Sequence, residues 1–116
     1  MARGIKRVLG GALFSVSPIF NTGTVAAAGT TQATAAPLAY TVNHVTGADS
    51  TKGVRLPSSR PGTLVVVYNA TAAQTLAVYP PTGGSINGGT TNAATTLAAL
   101  TPGIFVATSA TNWAKL

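Results

Sequence analysis

From residue 38 onward, apolar residues come in short runs separated by turn-forming residues. Leu38 to Val45 (LAYTVNHV) alternates apolar and polar positions and stops before Gly47, the pattern of a half-buried strand. Val54 to Leu56 is a short strand ended by Pro57. Thr63 to Tyr68 (TLVVVY) is a continuous apolar run between Pro61-Gly62 and Asn69, which predicts a strand buried on both faces. Thr75 to Tyr79 (TLAVY) follows after a few small residues, so these two segments are expected to pair as a hairpin with a longer loop. Pro80 to Gly84 is a break, and Ser85-Ile86 runs into Asn87-Gly88, a dipeptide that tolerates positive φ and marks a tight turn. Thr95 to Leu100, Gly103 to Ala107 and Asn112 to Leu116 complete the set of strands. Helical periodicity is nowhere sustained.

About six to eight short strands with regularly spaced turns predict an all-β fold, a small antiparallel β-sandwich or barrel, over residues 38–116. The sequence has no visible repeat with a period of roughly 20 to 50 residues, which argues against a solenoid. Residues 1–37 differ in character. They are rich in Gly, Ala, Ser and Thr, lack a sustained period, and are expected to form an extended, mostly irregular N-terminal arm. Such a segment buries too little apolar surface to offset its own ordering, so docking on a partner is expected to hold it. The anchors would be Phe14, Ile19 and Phe20 through burial, and Arg3, Lys6 and Arg7 through charge. The same stretch also has the outline of a secretory signal peptide: a basic start, an apolar run from Val8 to Val16, and small residues at Val25 to Ala28. That run is too short to span a bilayer, since Gly10-Gly11 interrupt it and Pro18 closes it.

Composition narrows the functional classes. In 116 residues there is one acid, Asp49, one histidine, His44, and no cysteine. Acid–base and metal-assisted schemes need paired carboxylates or a His/Cys/Asp cluster, so no catalytic, metal or cofactor site is expected. His44 and Asp49, on either side of Gly47, are the sole acid–imidazole pair and read as a surface histidine beside a turn-forming aspartate. Gly83-Gly84 and Gly88-Gly89 lack the following helix and the lysine of a phosphate loop, and read as turns. The net charge is +6, but Arg3, Lys6 and Arg7 are the only cluster, so an acidic protein surface is a better partner than nucleic acid. The hydrophobic fraction of 46% is largely alanine. A chain with so few large side chains buries a thin core alone, which points to oligomerisation. Tyr68, Tyr79, Phe105 and Trp113 are the expected core or subunit contacts. The alternative is an exposed strip of Tyr40, Tyr68, Tyr79 and Trp113 that binds glycans.

One ordered set of segments has a further likeness. Val54-Arg55-Leu56-Pro57, Pro61 to Asn69, Thr75 to Pro80, Gly83 to Gly88, Asn92, Leu97, Phe105-Val106-Ala107 and Asn112-Trp113 together resemble a β-domain of tailed-bacteriophage structural proteins. Those are small head decoration (cement) or head-fibre proteins and some tail-associated proteins. The resemblance spans about residues 40 to 116 and implies a β-sandwich or barrel, often trimeric, without enzymatic activity. It carries no catalytic or ligand residues. The function it implies is a capsid decoration protein, a homotrimer on the outer surface of the virion, bound to the major capsid protein without contact to nucleic acid or membrane. Shells of such phages often present acidic outer surfaces, which Arg3, Lys6 and Arg7 would suit. The alternatives are a host-recognition module of a head or tail fibre that binds surface glycans, and a secreted bacterial surface protein.

Overall fold

The structure, a computed structural model, describes residues 21–116. Over that range the chain winds alternately through two sheets. Strands β1 (Thr22–Ala26), β3 (Val42–Thr46) and β5 (Leu64–Asn69) lie parallel, side by side, in the first sheet. Strands β2 (Ala36–Pro37), β4 (Gly53–Arg55) and β6 (Leu76–Tyr79) do the same in the second. In the first sheet Thr22 pairs with Val42 and Val42 with Val66, steps of 20 and 24 residues. In the second, Ala36 pairs with Val54 and Val54 with Val78, steps of 18 and 24. The result is a β-solenoid of stacked coils.

The last quarter of the chain reverses direction and closes the stack. Strand β7 (Ser85–Ile86) starts this part, and β8 (Thr95–Leu97) runs antiparallel to β6. Strand β9 (Thr101–Ala107) runs antiparallel to β5, and β10 (Asn112–Lys115) antiparallel to β9. The six-stranded sheet has the order β1-β3-β5-β9-β10-β7, and the four-stranded sheet β2-β4-β6-β8. Solenoids need an atypical terminal unit to stop stacking. Here the antiparallel turn-back provides one at the β5 end, while β1 and β2 remain edge strands among the described residues.

The core lies between the sheets. Val45, Val65, Val67, Phe105, Ala107 and Trp113 point into it from the first sheet, and Val54, Leu76, Val78 and Leu97 from the second. Each inward set alternates with outward residues, as the two-residue period of a strand requires.

An all-β fold without helix in the described residues matches the expectation. The antiparallel sandwich or barrel does not, because the first three coils pair in parallel. The repeat escapes the sequence for a physical reason. The steps differ in length, and each coil asks only for alternating small or apolar residues, which Ala, Val and Thr satisfy without a consensus. The hairpin expected between Thr63–Tyr68 and Thr75–Tyr79 is also absent: β5 and β6 occupy different sheets, and residues 70–75 turn the corner between them. The boundary expected at residue 37 does not hold for the described residues that precede it. Residues 22–37 contain β1 and β2 and form the first coil, with β1 paired to β3 along its whole length.

Candidate interaction surface

The outer face of the first sheet is the most unusual surface of the molecule. Strand parity turns Leu64, Val66 and Tyr68 of β5 outward while Val65, Val67 and Asn69 are buried. The register then aligns them with outward residues of neighbouring strands. Val42 lies beside Val66, Val66 beside Ile104, and the Leu116 amide donates to the Ile104 carbonyl at 2.8 Å. Leu64 lies beside Val106, and Val106 beside Ala114. These rows form a continuous apolar strip across β3, β5, β9 and β10. Leu64 and Ile104 are each 39% exposed and Leu116 is 76% exposed. The run TLVVVY was expected to be buried on both faces. In a single chain only one face is buried, and the second is this strip.

The predicted aromatic residues divide. Phe105 and Trp113 are fully buried in the core. The Trp113 indole N–H has no acceptor among the described residues, so packing alone holds the ring. Tyr68 and Tyr79 are half-buried on opposite outer faces of the solenoid. Tyr68 sits beside His44, their rings 5.8 Å apart and tilted by 38°. The Tyr79 hydroxyl donates to the Thr30 carbonyl at 3.1 Å. With Trp113 buried and the tyrosines on separate faces, the single exposed strip of four aromatics is not formed. Arg3, Lys6, Arg7, Phe14, Ile19 and Phe20 lie outside the described residues, as does most of the signal-like segment. Cleavage near Val25 to Ala28 would cut at the end of β1 and detach it from β3.

His44 and Asp49 do not meet. His44 is exposed on β3 against Tyr68, whereas Asp49 organises the turn before β4. Its carboxylate accepts from the Thr51 hydroxyl at 2.6 Å, the Thr51 amide at 3.0 Å and the Lys52 amide at 3.0 Å. The Lys52 ammonium lies 3.5 Å away. The Thr51 hydroxyl and amide lower the Asp49 pKa to about 2, opposed by desolvation and helped to a lesser degree by the Lys52 amide and charge. Among the described residues no group of three His, Cys, Asp or Glu comes together, and no helix is long and apolar enough to cross a membrane. The glycine pairs are turns: Gly83 (φ 82°) sits in a turn closed by the Gly84 amide on the Pro81 carbonyl, and Asn87 and Gly88 have φ of 54° and 67°.

A second surface lies on the outer side of the second sheet. The loop between β1 and β2 folds over Gly53, Arg55 and Tyr79. Its internal frame is a Thr31–Thr34 hydroxyl pair at 2.8 Å. The Gln32 amide donates to the Pro80 carbonyl at 2.7 Å and to Asn92 Oδ1 at 3.1 Å, and the Gly83 amide donates to the same Asn92 oxygen at 2.7 Å. Arg55 Nη1 donates to the carbonyls of Gln32 (2.9 Å) and Ala33 (3.3 Å). Beside it opens a cleft of about 600 Å³ lined by Pro37, Leu38, Arg55, Pro57, Ser58 and Thr82, among others. A single lysine or arginine in a strand carries no sequence signal for such a cleft. The apolar strip, in contrast, was present in TLVVVY and GIFVA as excess apolar character on the outward positions.

Comparison with protein-family models, with curated proteins and with solved structures finds no match for this chain.

Proposed function

We propose that this chain is a non-enzymatic structural component of a multi-copy particle, a tailed-phage capsid decoration or cement protein that assembles as a homotrimer and binds the major capsid protein. The observation that carries the reading is the apolar strip of Val42, Leu64, Val66, Ile104, Val106 and Leu116 on the outer face of the first sheet. Contiguous exposed apolar surface is a liability in a free monomer and an asset in an interface. No Lys, Arg, Asp or Glu lies among those rows, so copies meet there without charge repulsion or the desolvation of an ion. The sparse core adds a second reason, since contacts between copies supply burial that one chain lacks. The resemblance of residues 40–116 to phage structural β-domains supplies the setting, and the basic residues Arg3, Lys6 and Arg7 supply an attraction to an acidic shell.

Sedimentation equilibrium tests the trimer. The parent chain is expected to sediment as a trimer, and Val66→Lys and Ile104→Lys as folded monomers with unchanged circular dichroism. A monomeric parent, or lysine variants that still form the trimer, would overturn the reading. Attachment is tested separately by adding the protein to undecorated capsids. Because β1 belongs to the first coil, the informative truncation removes only residues 1–20. Full occupancy by that truncated chain would eliminate the arm as the attachment element.

A further inference from the structure

We infer that the cleft at Arg55 is a binding site for an acidic polypeptide segment, with the guanidinium receiving a carboxylate. Asp49 is the only acidic side chain in the whole sequence, and Lys52 with the Thr51–Lys52 backbone already occupies it. No Asp or Glu side chain of this chain remains to pair with Arg55.

Geometry places the unpaired charge in a useful position. Arg55 is half-buried, the central member of the row Pro37–Arg55–Tyr79 across three strands of the second sheet. The Gln32 and Ala33 carbonyls engage only Nη1, which orients the group. Nη2 and Nε have no acceptor among the described residues. A planar donor edge that is held in place and left unsatisfied suits bidentate capture of a carboxylate.

The shape of the site favours a chain over a small ion. The cleft of about 600 Å³ adjoins a second of about 230 Å³, and both are lined by Ser58, Pro81 and Thr82. The combined groove has proline walls, hydroxyls from Ser58 and Thr82, and the cation toward one end. The second cleft also takes in Ser59, Gly83, Gly84 and Thr111, which extend the groove beyond Thr82. Prolines lose no amide donor on being covered and form a rigid apolar wall, so an extended segment is held without induced order in the groove. The loop ties of Gln32 and Asn92 pre-form that wall before any partner arrives.

This site deepens the assembly reading and rests on it only for the choice of a polypeptide occupant. Fluorescence anisotropy with a fluorescein-labelled oligoglutamate peptide tests it on the full chain. Binding is expected, and Arg55→Ala is expected to weaken it at least about tenfold, the loss typical of a charge-assisted hydrogen-bond pair. Arg55→Lys should fall between, because an ammonium cannot present the fork. Thr82→Trp, which fills the groove at an exposed position and keeps Arg55, should weaken binding comparably while the melting temperature stays near that of the parent. Lys52→Ala removes the same charge elsewhere and should have little effect. Equal losses for Lys52→Ala and Arg55→Ala would mean diffuse attraction to the net charge and overturn the site. So would unaffected binding by Thr82→Trp, or tighter binding of an oligogalacturonate, which would make it a glycan site. Absence of peptide binding by a chain that still trimerises would remove this site and leave the assembly reading standing.

Discussion

Asn69 ties together two adjacent corners of the solenoid, β5–β6 and β8–β9, whose own residues lie outside the strand ladders, and replacing it should destabilise the fold more than its size suggests. It is fully buried at the end of β5. Its Nδ2 lies 2.8 Å from the Gln74 carbonyl, 3.1 Å from that of Ala98 and 3.3 Å from that of Leu97, and its Oδ1 accepts from the Thr71 amide at 3.1 Å. The side chain therefore closes the β5–β6 corner on itself and ties it to the segment after β8. Leucine has nearly the same shape and removes every one of these bonds. A buried polar group left without a partner costs roughly 1–3 kcal/mol. The Leu97 carbonyl is wholly enclosed, while the others retain some access to water, and leucine recovers part of the loss through apolar burial. A net destabilisation of about 3 kcal/mol is expected for Asn69→Leu. For a chain of this size that corresponds to a melting temperature lower by roughly 10 °C.

Circular dichroism during thermal and guanidinium unfolding measures the loss, with an unchanged denaturant slope as the sign that both states keep their compactness. Asn69→Asp adds a pH signature. It sets a carboxyl group against carbonyl oxygens in a buried site, which raises its pKa in the folded protein above the ordinary aspartate value of about 3.9. Below that ordinary value both states are protonated and the charge imposes no penalty. The penalty then grows as pH rises toward the folded pKa. Melting of Asn69→Leu within about 2 °C of the parent, or equal destabilisation of Asn69→Asp at pH 3 and pH 7, would show that these bonds do not hold the corner.

Two other perturbations test the turn chemistry and the packing of the second sheet. Asp49 has a pKa lowered to about 2, so its contribution to stability is present above the ordinary value near 3.8 and is lost as pH falls toward 2. Asn at position 49 should flatten that acid-side loss, and equal losses in parent and Asp49→Asn between pH 5 and pH 2, measured by melting temperature, would refute the assignment. Gly53 is buried beneath Tyr79, and a Cβ there would lie 2.8 Å from the Ala77 carbonyl oxygen and 2.9 Å from the Tyr79 ring. Gly53→Ala should cost about 1–3 kcal/mol through overpacking, and should displace the Tyr79 hydroxyl from Thr30; an unchanged melting temperature would show that the second sheet yields freely.

The two faces of β5 show how local pattern and tertiary placement divided the information. Alternation and turn residues located β3, β4, β5, β6, β8, β9 and β10 to within a few positions, because strand formation and turn chemistry depend on residues near in sequence. The all-β class followed from those same signals, and so did the turn at Asn87-Gly88. Charge was also legible without coordinates: one acid against seven bases leaves unpaired cations in any fold. Strand partners were not legible. The residues of β5 and β6 would serve a hairpin as well as two successive faces of a coil, and the buried Asn69 at the corner, rather than any pattern in the strands, accompanies the choice. β1 was missed because Thr22 to Ala26 is short, small and without bulk, and becomes a strand through pairing with β3. The apolar strip exists only after β5 has paired antiparallel with β9 and parallel with β3, and the Arg55 row only after parallel stacking has brought residues about 20 apart side by side. Local signals along the chain were enough to place the extended segments and most of their turns. Which segments become neighbours is settled only in the folded molecule, because pairing between coils depends on residues distant in the chain whose local signals are the same in several topologies.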